Sequence, residues 1–357
     1  MLIELENAFY ETYLEYAQIE ITGMCNMHCR HCRAVKEPHR HLTLEEVQKI
    51  LLFINKNKGD NFRVTLSGGE PFLHPQIVEI LGMLKKSNIE NVLITSNGSC
   101  ITKEILEKIE KIGIKKMCIQ ISLDSVNKET HDKFRGFEGA YDKALKALKL
   151  IKTFIGLMAS IRATLTHSTL KEVGEIVDLS RKLGVDRVGI GTVIPVGNGS
   201  DGTLTLSKQE KKQFLTTLAE KHWQYKGMMD VTTEDPTKCL VDNSPWIFKS
   251  ENVSSYDCEF GGCTAGVSSF NVSADGTVVP CSVLWLPIMN IFDYDNVEDM
   301  TKTYSNSIII KNLVSRKFKG KCSNCEFKYS CGGCRATAMG LTGDYMAEDP
   351  TCWKLEK

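Results

Sequence analysis

The sequence lacks a net charge and long apolar stretches. Lys+Arg and Asp+Glu both total 44 in 357 residues, so the formal net charge at pH 7 is zero and no long-range field attracts nucleic acid or an anionic membrane surface. No apolar run approaches the roughly 20 residues of a membrane-spanning helix, and the acidic start 1–6 does not resemble a signal peptide. We therefore predict a cytoplasmic protein, with neither nucleic acid nor a membrane as partner.

Cysteine, in contrast, is abundant. The chain has 14 cysteines, and cytosolic thiols seldom form structural disulfides. Their positions are uneven, with three cysteines in 25–32 and eight in 258–352. This clustering favours metal ligands over core packing.

Short apolar runs alternate with amphipathic segments from about residue 16 to about residue 226, which predicts six consecutive β/α units. Capping boxes at Thr43 and Ser207 predict the starts of two helices. The alternation implies a parallel sheet, but periodicity alone leaves open a doubly wound sheet or an incomplete barrel. The predicted strands are Ala17–Thr22, Arg63–Ser67, Asn91–Thr95, Met117–Leu123, Ser160–Leu165 and Arg187–Thr192.

This alternation stops near residue 228, which predicts two domains, 1–227 and 228–357. The second contains one clear secondary-structure signal, a hairpin of Ser269–Val272 and Thr277–Pro280 around an Asp-Gly turn. Little of this region is apolar, so we expect bound metal to hold most of it.

The first cysteine group consists of Cys25, Cys29 and Cys32. Three thiolates within eight residues can hold one small cluster, and a four-iron cube held by three cysteines has one open iron. A zinc site completed by His28 or His31 is the alternative.

This C-x3-C-x2-C group after a first strand resembles the signature of the radical S-adenosylmethionine (SAM) superfamily. The resemblance implies a partial (β/α)6 TIM-like barrel and an open iron that binds the amino and carboxylate groups of SAM. An electron from a donor such as flavodoxin or ferredoxin then cleaves SAM to methionine and a 5′-deoxyadenosyl radical.

Further loops resemble the SAM contacts of this family. The glycines of the Gly-Gly-Glu-Pro string would let the backbone approach a ligand, and its glutamate would accept a hydrogen bond from the SAM ammonium. The Val-Gly-Ile-Gly stretch 188–191 resembles the segment that packs against adenine. The implied cofactor-binding residues are Gly68, Gly69, Glu70, Pro71, Asn97, Ser122, Asp124, Arg162, Ile190 and His31.

The second cysteine group holds eight thiols, enough for two complete four-cysteine sites. Zinc ribbons are the alternative, although only five residues separate Cys325 from Cys331, fewer than ribbons usually have between their CxxC pairs. The group resembles the SPASM extension of radical SAM enzymes, including the string 331–336, with one departure: two residues instead of three separate the last cysteine pair. The resemblance implies one auxiliary [4Fe–4S] cluster on Cys258, Cys263, Cys281 and Cys334, a second on Cys322, Cys325, Cys331 and Cys352, and three [4Fe–4S] clusters in all.

The resemblance implies an oxidoreductase-type enzyme that abstracts hydrogen from an unactivated C–H bond. We favour a ribosomally made precursor peptide or protein as substrate, which the enzyme would crosslink, oxidise or epimerise, with a separate leader-binding protein as a possible partner. Synthesis of a tetrapyrrole or another cofactor is the alternative activity. A non-catalytic iron–sulfur electron carrier is the alternative from another functional class.

Three residues are catalytic candidates: Cys239, Glu234 and Asp235. Cys239 lies in the connector between the two domains, near the expected substrate opening. Glu234 and Asp235 follow a candidate extra strand and could act as a base or hold a cationic substrate, with an acidic turn before Pro236 as the alternative.

Overall fold

The computed structural model describes residues 1–6, 8–34, 39–246 and 261–355. A ten-stranded sheet forms its centre, and a two-stranded antiparallel hairpin lies at the N-terminus. The strands are β1 (Leu2–Leu5), β2 (Ala8–Glu11), β3 (Leu14–Thr22), β4 (Lys58–Gly68), β5 (Asn91–Ser96), β6 (Lys116–Ser122), β7 (Met158–Leu165), β8 (Arg187–Thr192), β9 (Asp230–Thr232), β10 (Ser269–Val272), β11 (Thr277–Val279) and β12 (Met289–Asn290).

Helices follow six successive strands of the sheet, β3 to β8. Both capping boxes are present, at Thr43 before α1 and at Ser207 before α7. The helices are α1 (Leu44–Asn57), α2 (Ile77–Lys86), α3 (Lys103–Ile112), α4 (Lys128–Arg135), α5 (Ala140–Ile151), α6 (Val173–Lys182), α7 (Lys208–Tyr225), α8 (Val297–Asn306), α9 (Ile308–Ser315) and α10 (Arg335–Thr342).

The order of the strands decides between the two architectures that periodicity left open. From β3 to β9 each strand pairs in parallel with the next one along the chain, and the order never reverses. A doubly wound sheet reverses its order at a switch point, whereas a barrel does not. The predicted partial barrel is therefore confirmed. All six predicted strands exist, with bounds shifted by at most five residues, the largest shift being at the start of β4.

The C-terminal region differs from the prediction in two ways. The predicted hairpin forms as β10 and β11, but β10 also pairs in parallel with β3 and so extends the barrel sheet. Three helices that the sequence analysis missed, α8 to α10, follow it, and Phe270, Met300 and Tyr304 belong to the main hydrophobic core. Apolar packing therefore contributes to this region as well. The division at 227/228 stays a prediction.

The two faces of the sheet differ in chemistry. Apolar residues such as Val64 and Ile119 lie on one face, in the core that the helices cover. Paired residues of adjacent parallel strands share a face, so their polar neighbours line the inside of the partial barrel. These are Tyr16, Gln18, Glu20, Arg63, Thr65, Ser67, Gln120, Ser122, Ser160, Arg162 and Arg187.

In the described part of the chain, none of the helices combines the length and apolar character required to cross a membrane.

Candidate active site and auxiliary cysteine sites

The loop that carries the first cysteine group packs directly against the loop after β4. The Gly69 N–H donates to the Thr22 carbonyl at 2.7 Å, and the Glu70 N–H donates to the Met24 carbonyl at 2.7 Å. A Cβ on Gly68 would lie 2.0 Å from the Thr22 oxygen, and one on Gly69 would lie 2.1 Å from the Met24 oxygen. The glycines therefore allow this loop to approach the cysteine loop, a requirement that the sequence analysis assigned to the ligand.

Glu70 connects the loops that follow β4 and β5. Its carboxylate is buried and accepts from Ser96 Oγ at 2.8 Å, from the Asn97 N–H at 2.7 Å and from the Phe72 N–H at 3.1 Å. The last bond caps the short 3-10 turn Pro71–Leu73. Burial raises the pKa of Glu70, while these donors oppose that effect. Glu70 thus positions two loops, and its predicted contact with SAM stays a prediction.

Asn97 joins the third loop to the cysteines. Its Nδ2 donates to Asn26 Oδ1 at 2.9 Å, and Asn26 Nδ2 donates to Ser99 Oγ at 2.8 Å. Since Asn26 directly follows Cys25, the strand-end loops converge on the first cysteine group.

Asp124 is linked to Cys29 by Arg135, a residue that the sequence analysis missed. Its Oδ2 accepts from Arg135 Nε at 2.6 Å, and Arg135 Nη1 lies 3.8 Å from Cys29 Sγ. Burial alone would raise the pKa of Asp124, but the Arg135 guanidinium holds it below its usual range. The buried ion pair therefore places a positive charge beside a thiol of the first group. Arg135 ends α4 just before a glycine, which gave no functional signal in the sequence.

His31, between the second and third cysteines, stacks on Phe134 with ring centroids 4.4 Å apart and planes 9° apart. Burial, followed by the Arg135 charge, lowers the pKa of His31 to about 4. Its ring is therefore neutral at pH 7.

Arg162 and Ser122 lie side by side on the inner face of β7 and β6. The guanidinium of Arg162 lies over β8, where a Cβ on Gly191 would be 2.6 Å from Nη2. Ile190 lies in the hydrophobic core, on the opposite face from Arg162. Any adenine contact of this stretch would therefore use backbone or glycine atoms, and the Ile190 side chain faces away.

Glu234 lies beside the arginines of the inner sheet face, and its side chain is 70% exposed. Arg162 Nη1 lies 2.6 Å from Glu234 Oε2. Arg162 chiefly, followed by Arg63 and Arg187, holds the pKa of Glu234 below its usual range. Arg187 also pairs with Asp230 at 3.1 Å. We define the basic chamber as Arg63, Arg162, Arg187 and Glu234.

Four auxiliary cysteines surround one cavity. The cavity has a volume of about 550 Å³, and its lining includes Cys322, Cys325, Cys331 and Cys352. These are the four residues that the SPASM resemblance assigns to the second auxiliary cluster.

The first auxiliary set is described in part, because Cys258 lies outside the described residues. Burial raises the pKa of Cys281 and that of Cys334, the latter to about 12, and nearby Cys263 adds to both effects. The Cys263 N–H donates to the Cys331 carbonyl at 3.0 Å, so the two sets interlock through the backbone.

Asp235 belongs to a buried network of polar and charged groups. Its Oδ1 accepts from the Thr237 N–H at 2.9 Å, and its Oδ2 lies 3.2 Å from Lys211 Nζ. Lys211 also lies 3.6 Å from Asp349, whose Oδ2 accepts from the Cys334 N–H at 2.8 Å. This buried network joins α7 to the cysteine loops, which favours a positioning role for Asp235.

Cys239 lies beside the second auxiliary set. It is buried in a cluster with Cys331 and Cys352, and its Sγ lies 3.6 Å from the Pro236 carbonyl and 3.7 Å from the Ser330 carbonyl. Of the roles open to it, this position favours contact with a cluster over donation of a hydrogen atom at the SAM site.

The donor sets fit iron–sulfur clusters. Among the described residues, no three His, Cys, Asp or Glu side chains converge closely enough for a single metal ion. In a four-iron cube each thiolate binds a different iron, so the ligands lie further apart than those of a single metal ion. The ring of cysteines around the cavity fits such a group, and the first group offers three thiols on one loop.

Comparison with known proteins identifies the fold and the N-terminal signature. Residues 19–180 match the family model described as Radical SAM superfamily. An AdoMet-dependent heme synthase of Methanosarcina barkeri is 29% identical over 351 residues, covering 93% of this chain and 94% of that protein. A PqqA peptide cyclase of Gluconobacter oxydans is 26% identical over 341 residues, covering 93% and 88%.

Among solved structures, Streptococcus suis SuiB bound to precursor peptide SuiA superposes with a TM-score of 0.74 at 19% identity, covering 96% of this chain and 76% of that chain. The fold therefore extends over nearly the whole length of this protein.

Proposed function

We propose that this chain is a radical SAM enzyme of the SPASM subfamily that abstracts a hydrogen atom from a carboxylated tetrapyrrole held in the basic chamber. The match of residues 19–180 to the Radical SAM superfamily model and the similarity to a PqqA peptide cyclase support this class. A [4Fe–4S] cluster on Cys25, Cys29 and Cys32, together with SAM, supplies the 5′-deoxyadenosyl radical. Two auxiliary [4Fe–4S] clusters would be held by the remaining cysteines of the motif, which are Cys258, Cys263, Cys281, Cys334 and Cys322, Cys325, Cys331, Cys352.

The chain's own residues would organise SAM at the strand ends. Glu70 fixes the loops after β4 and β5 relative to each other, and Asn97 ties the second of them to the cysteine loop. Arg135 places a positive charge beside Cys29. A site built on strand ends with such fixed loops can hold a substrate carbon in a constant position relative to SAM.

The positive charge of the basic chamber is the observation that supports this substrate class. Three guanidinium groups act on the carboxylate of Glu234, of which Arg162 is in direct contact with it, and Asp230 pairs with Arg187. These three arginines and two carboxylates together carry one excess positive charge, and the planar Arg fork matches a carboxylate in geometry. A chamber of this kind favours an anionic substrate, and the carboxylates of a tetrapyrrole suit it. The similarity to a heme synthase over 93% of this chain supports the same class.

A peptide substrate is the second candidate. The PqqA peptide cyclase is similar over 93% of this chain, and the structural neighbour SuiB binds its precursor peptide. An acidic precursor segment would also suit the basic chamber.

The test uses the anaerobically reconstituted chain with SAM and a reductant. Iron coproporphyrin III should bind, as followed by its absorbance spectrum, and should increase the yield of 5′-deoxyadenosine. The native chain should bind the carboxyl-esterified form more weakly than the free acid. An R63Q variant should bind the free acid more weakly than the native chain does. R181Q removes an exposed arginine from α6 and is the matched control. If the acid and the ester bind R63Q and the native chain equally, the substrate assignment is wrong.

A further inference from the structure

Arg335 is among the largest fully buried side chains of this protein, with 1% exposure. It directly follows Cys334 and begins α10. Burying a guanidinium is costly unless a counter-charge and hydrogen-bond acceptors compensate it. The partners of Arg335 therefore identify what compensates its charge.

Backbone oxygens accept from one side of this guanidinium. Nη1 donates to the Ala347 carbonyl at 2.6 Å and to the Tyr345 carbonyl at 3.0 Å, and the ring of Phe318 lies 4.3 Å from the Arg335 Cζ. These contacts hold the group in place but carry no negative charge.

No described carboxylate pairs with Arg335. The two aspartates of the same loop form ion pairs elsewhere, Asp344 with Lys319 at 2.6 Å and Asp349 with Lys211 at 3.6 Å. Within residues 1–6, 8–34, 39–246 and 261–355, Nη2 of Arg335 is buried and has no hydrogen-bond partner. The structure thus contains a buried positive charge and an unused donor at one point.

That point lies at the wall of the cysteine-lined cavity. Nη2 would be 2.6 Å from a Cβ on Gly333, and Gly333 lines the cavity together with Cys322. Phe318, on which the guanidinium stacks, packs against Cys322. The Asp349 carboxylate also lies near this point, 3.5 Å from the same Cβ position on Gly333, but it is paired with Lys211. Among the described residues, the thiols of the cavity are the acidic groups there that have no cation of their own. Burial raises the pKa of the Cys322 thiol, and Arg335 acts on that thiol by lowering its pKa, against the effect of burial.

We propose that Arg335 is the counter-ion of the second auxiliary cluster, a positioning residue whose Nη2 donates towards the cluster's sulfurs and raises its reduction potential. The inference rests on the proposed cluster at Cys322, Cys325, Cys331 and Cys352. Positive charge and hydrogen bonds to the sulfurs stabilise the reduced cluster, which carries one more negative charge. The glycine at 333 leaves room for the guanidinium, since a Cβ there would lie only 2.6 Å from Nη2.

The experiment is a redox titration, followed by electron paramagnetic resonance, of the full chain carrying C25A, C29A and C32A, which leaves the auxiliary clusters. The signal lost on the further change C352A belongs to the second cluster. Its midpoint should shift to a more negative value in R335Q and by less in R335K. K319Q also removes one positive charge near this loop, but from a side chain 70% exposed to solvent, and should leave the midpoint unchanged.

The outcomes separate the two proposals. If C352A removes neither iron nor a signal, the second cluster itself is absent. If the cluster is present and R335Q has the midpoint of K319Q, the role of Arg335 is refuted. If R335Q fails to retain the cluster, R335K decides, because it keeps the charge but lacks the planar fork that places a donor at the position of Nη2: a more negative midpoint supports the proposal and an unchanged one overturns it. Loss of the iron from both variants would make Arg335 a support of the loop alone, which also overturns it.

Discussion

Arg162 on β7 and Glu234 just beyond β9 form an ion pair, with Nη1 and Oε2 2.6 Å apart. The sequence suggested separate roles for them, a SAM contact and a catalytic group. Their pairing places the predicted SAM site and the substrate side of the barrel in contact with each other. Because Glu234 neutralises part of the arginine charge, it should also weaken the binding of an anion in the basic chamber.

Replacing Glu234 with Gln should tighten the binding of iron coproporphyrin III. The change removes the carboxylate that opposes three guanidinium groups, and an accessible pair of this kind contributes about 1 kcal/mol, roughly a fivefold change in Kd. Absorbance titration measures it, with the exposed E79Q on α2 as control. Unchanged or weaker binding would contradict a role of Glu234 in charge balance.

Replacing Gly69 with Ala should abolish SAM cleavage and remove the iron of the first cluster, about four of about twelve atoms per chain. The added methyl group would lie 2.1 Å from the Met24 oxygen and force the two loops apart. Iron analysis and 5′-deoxyadenosine assays report the effect. G82A is the control, since its methyl group meets nothing within 4 Å in α2. Full iron content in G69A would show that the loops tolerate separation.

Replacing Glu70 with Gln should lower the free energy of unfolding by roughly 2 kcal/mol, because the amide NH2 would face a backbone or hydroxyl donor in a buried position. Three donors converge on that carboxylate. Urea unfolding of E70Q and of the exposed variant E220Q gives the comparison. Equal stability of the two variants would mean that the loop contact contributes little.

The free energy of unfolding should fall as the pH is lowered from about 6.5 to about 4. Burial lowers the pKa of His131 from 6.5 to about 4, so in this window the unfolded chain binds a proton that the folded chain does not. The stabilisation is complete above pH 6.5 and is lost by pH 4, in total about 3 kcal/mol.

An H131N variant isolates this contribution. His131 Nδ1 accepts from the Asp124 N–H at 3.1 Å, and the Asn amide oxygen can accept the same bond without titrating. Urea unfolding at pH 7 and pH 4.5 should show a smaller loss for H131N than for the native chain. The same loss in both would assign the pH dependence to other groups.

Local sequence determined the six barrel strands, both capped helices and the spacing of the cysteines. Apolar periodicity, capping residues and ligand spacing are short-range features, and each is readable without knowledge of the fold. The order of the strands, the addition of β10 beside β3 and the helices α8 to α10 were not readable in this way. Their stability comes from contacts between distant segments, such as Phe270 with Tyr304.

The sequence by itself therefore determined which residues could bind iron and where the strand-end loops lie. Tertiary structure decided which polar side chains of the site contact each other. Glu70 contacts Ser96 and the Asn97 backbone, Arg135 contacts Cys29, and Arg162 contacts Glu234. The physical reason is that a charged or polar side chain is stabilised by whichever group the fold brings within a few ångströms, and that group can lie anywhere in the chain.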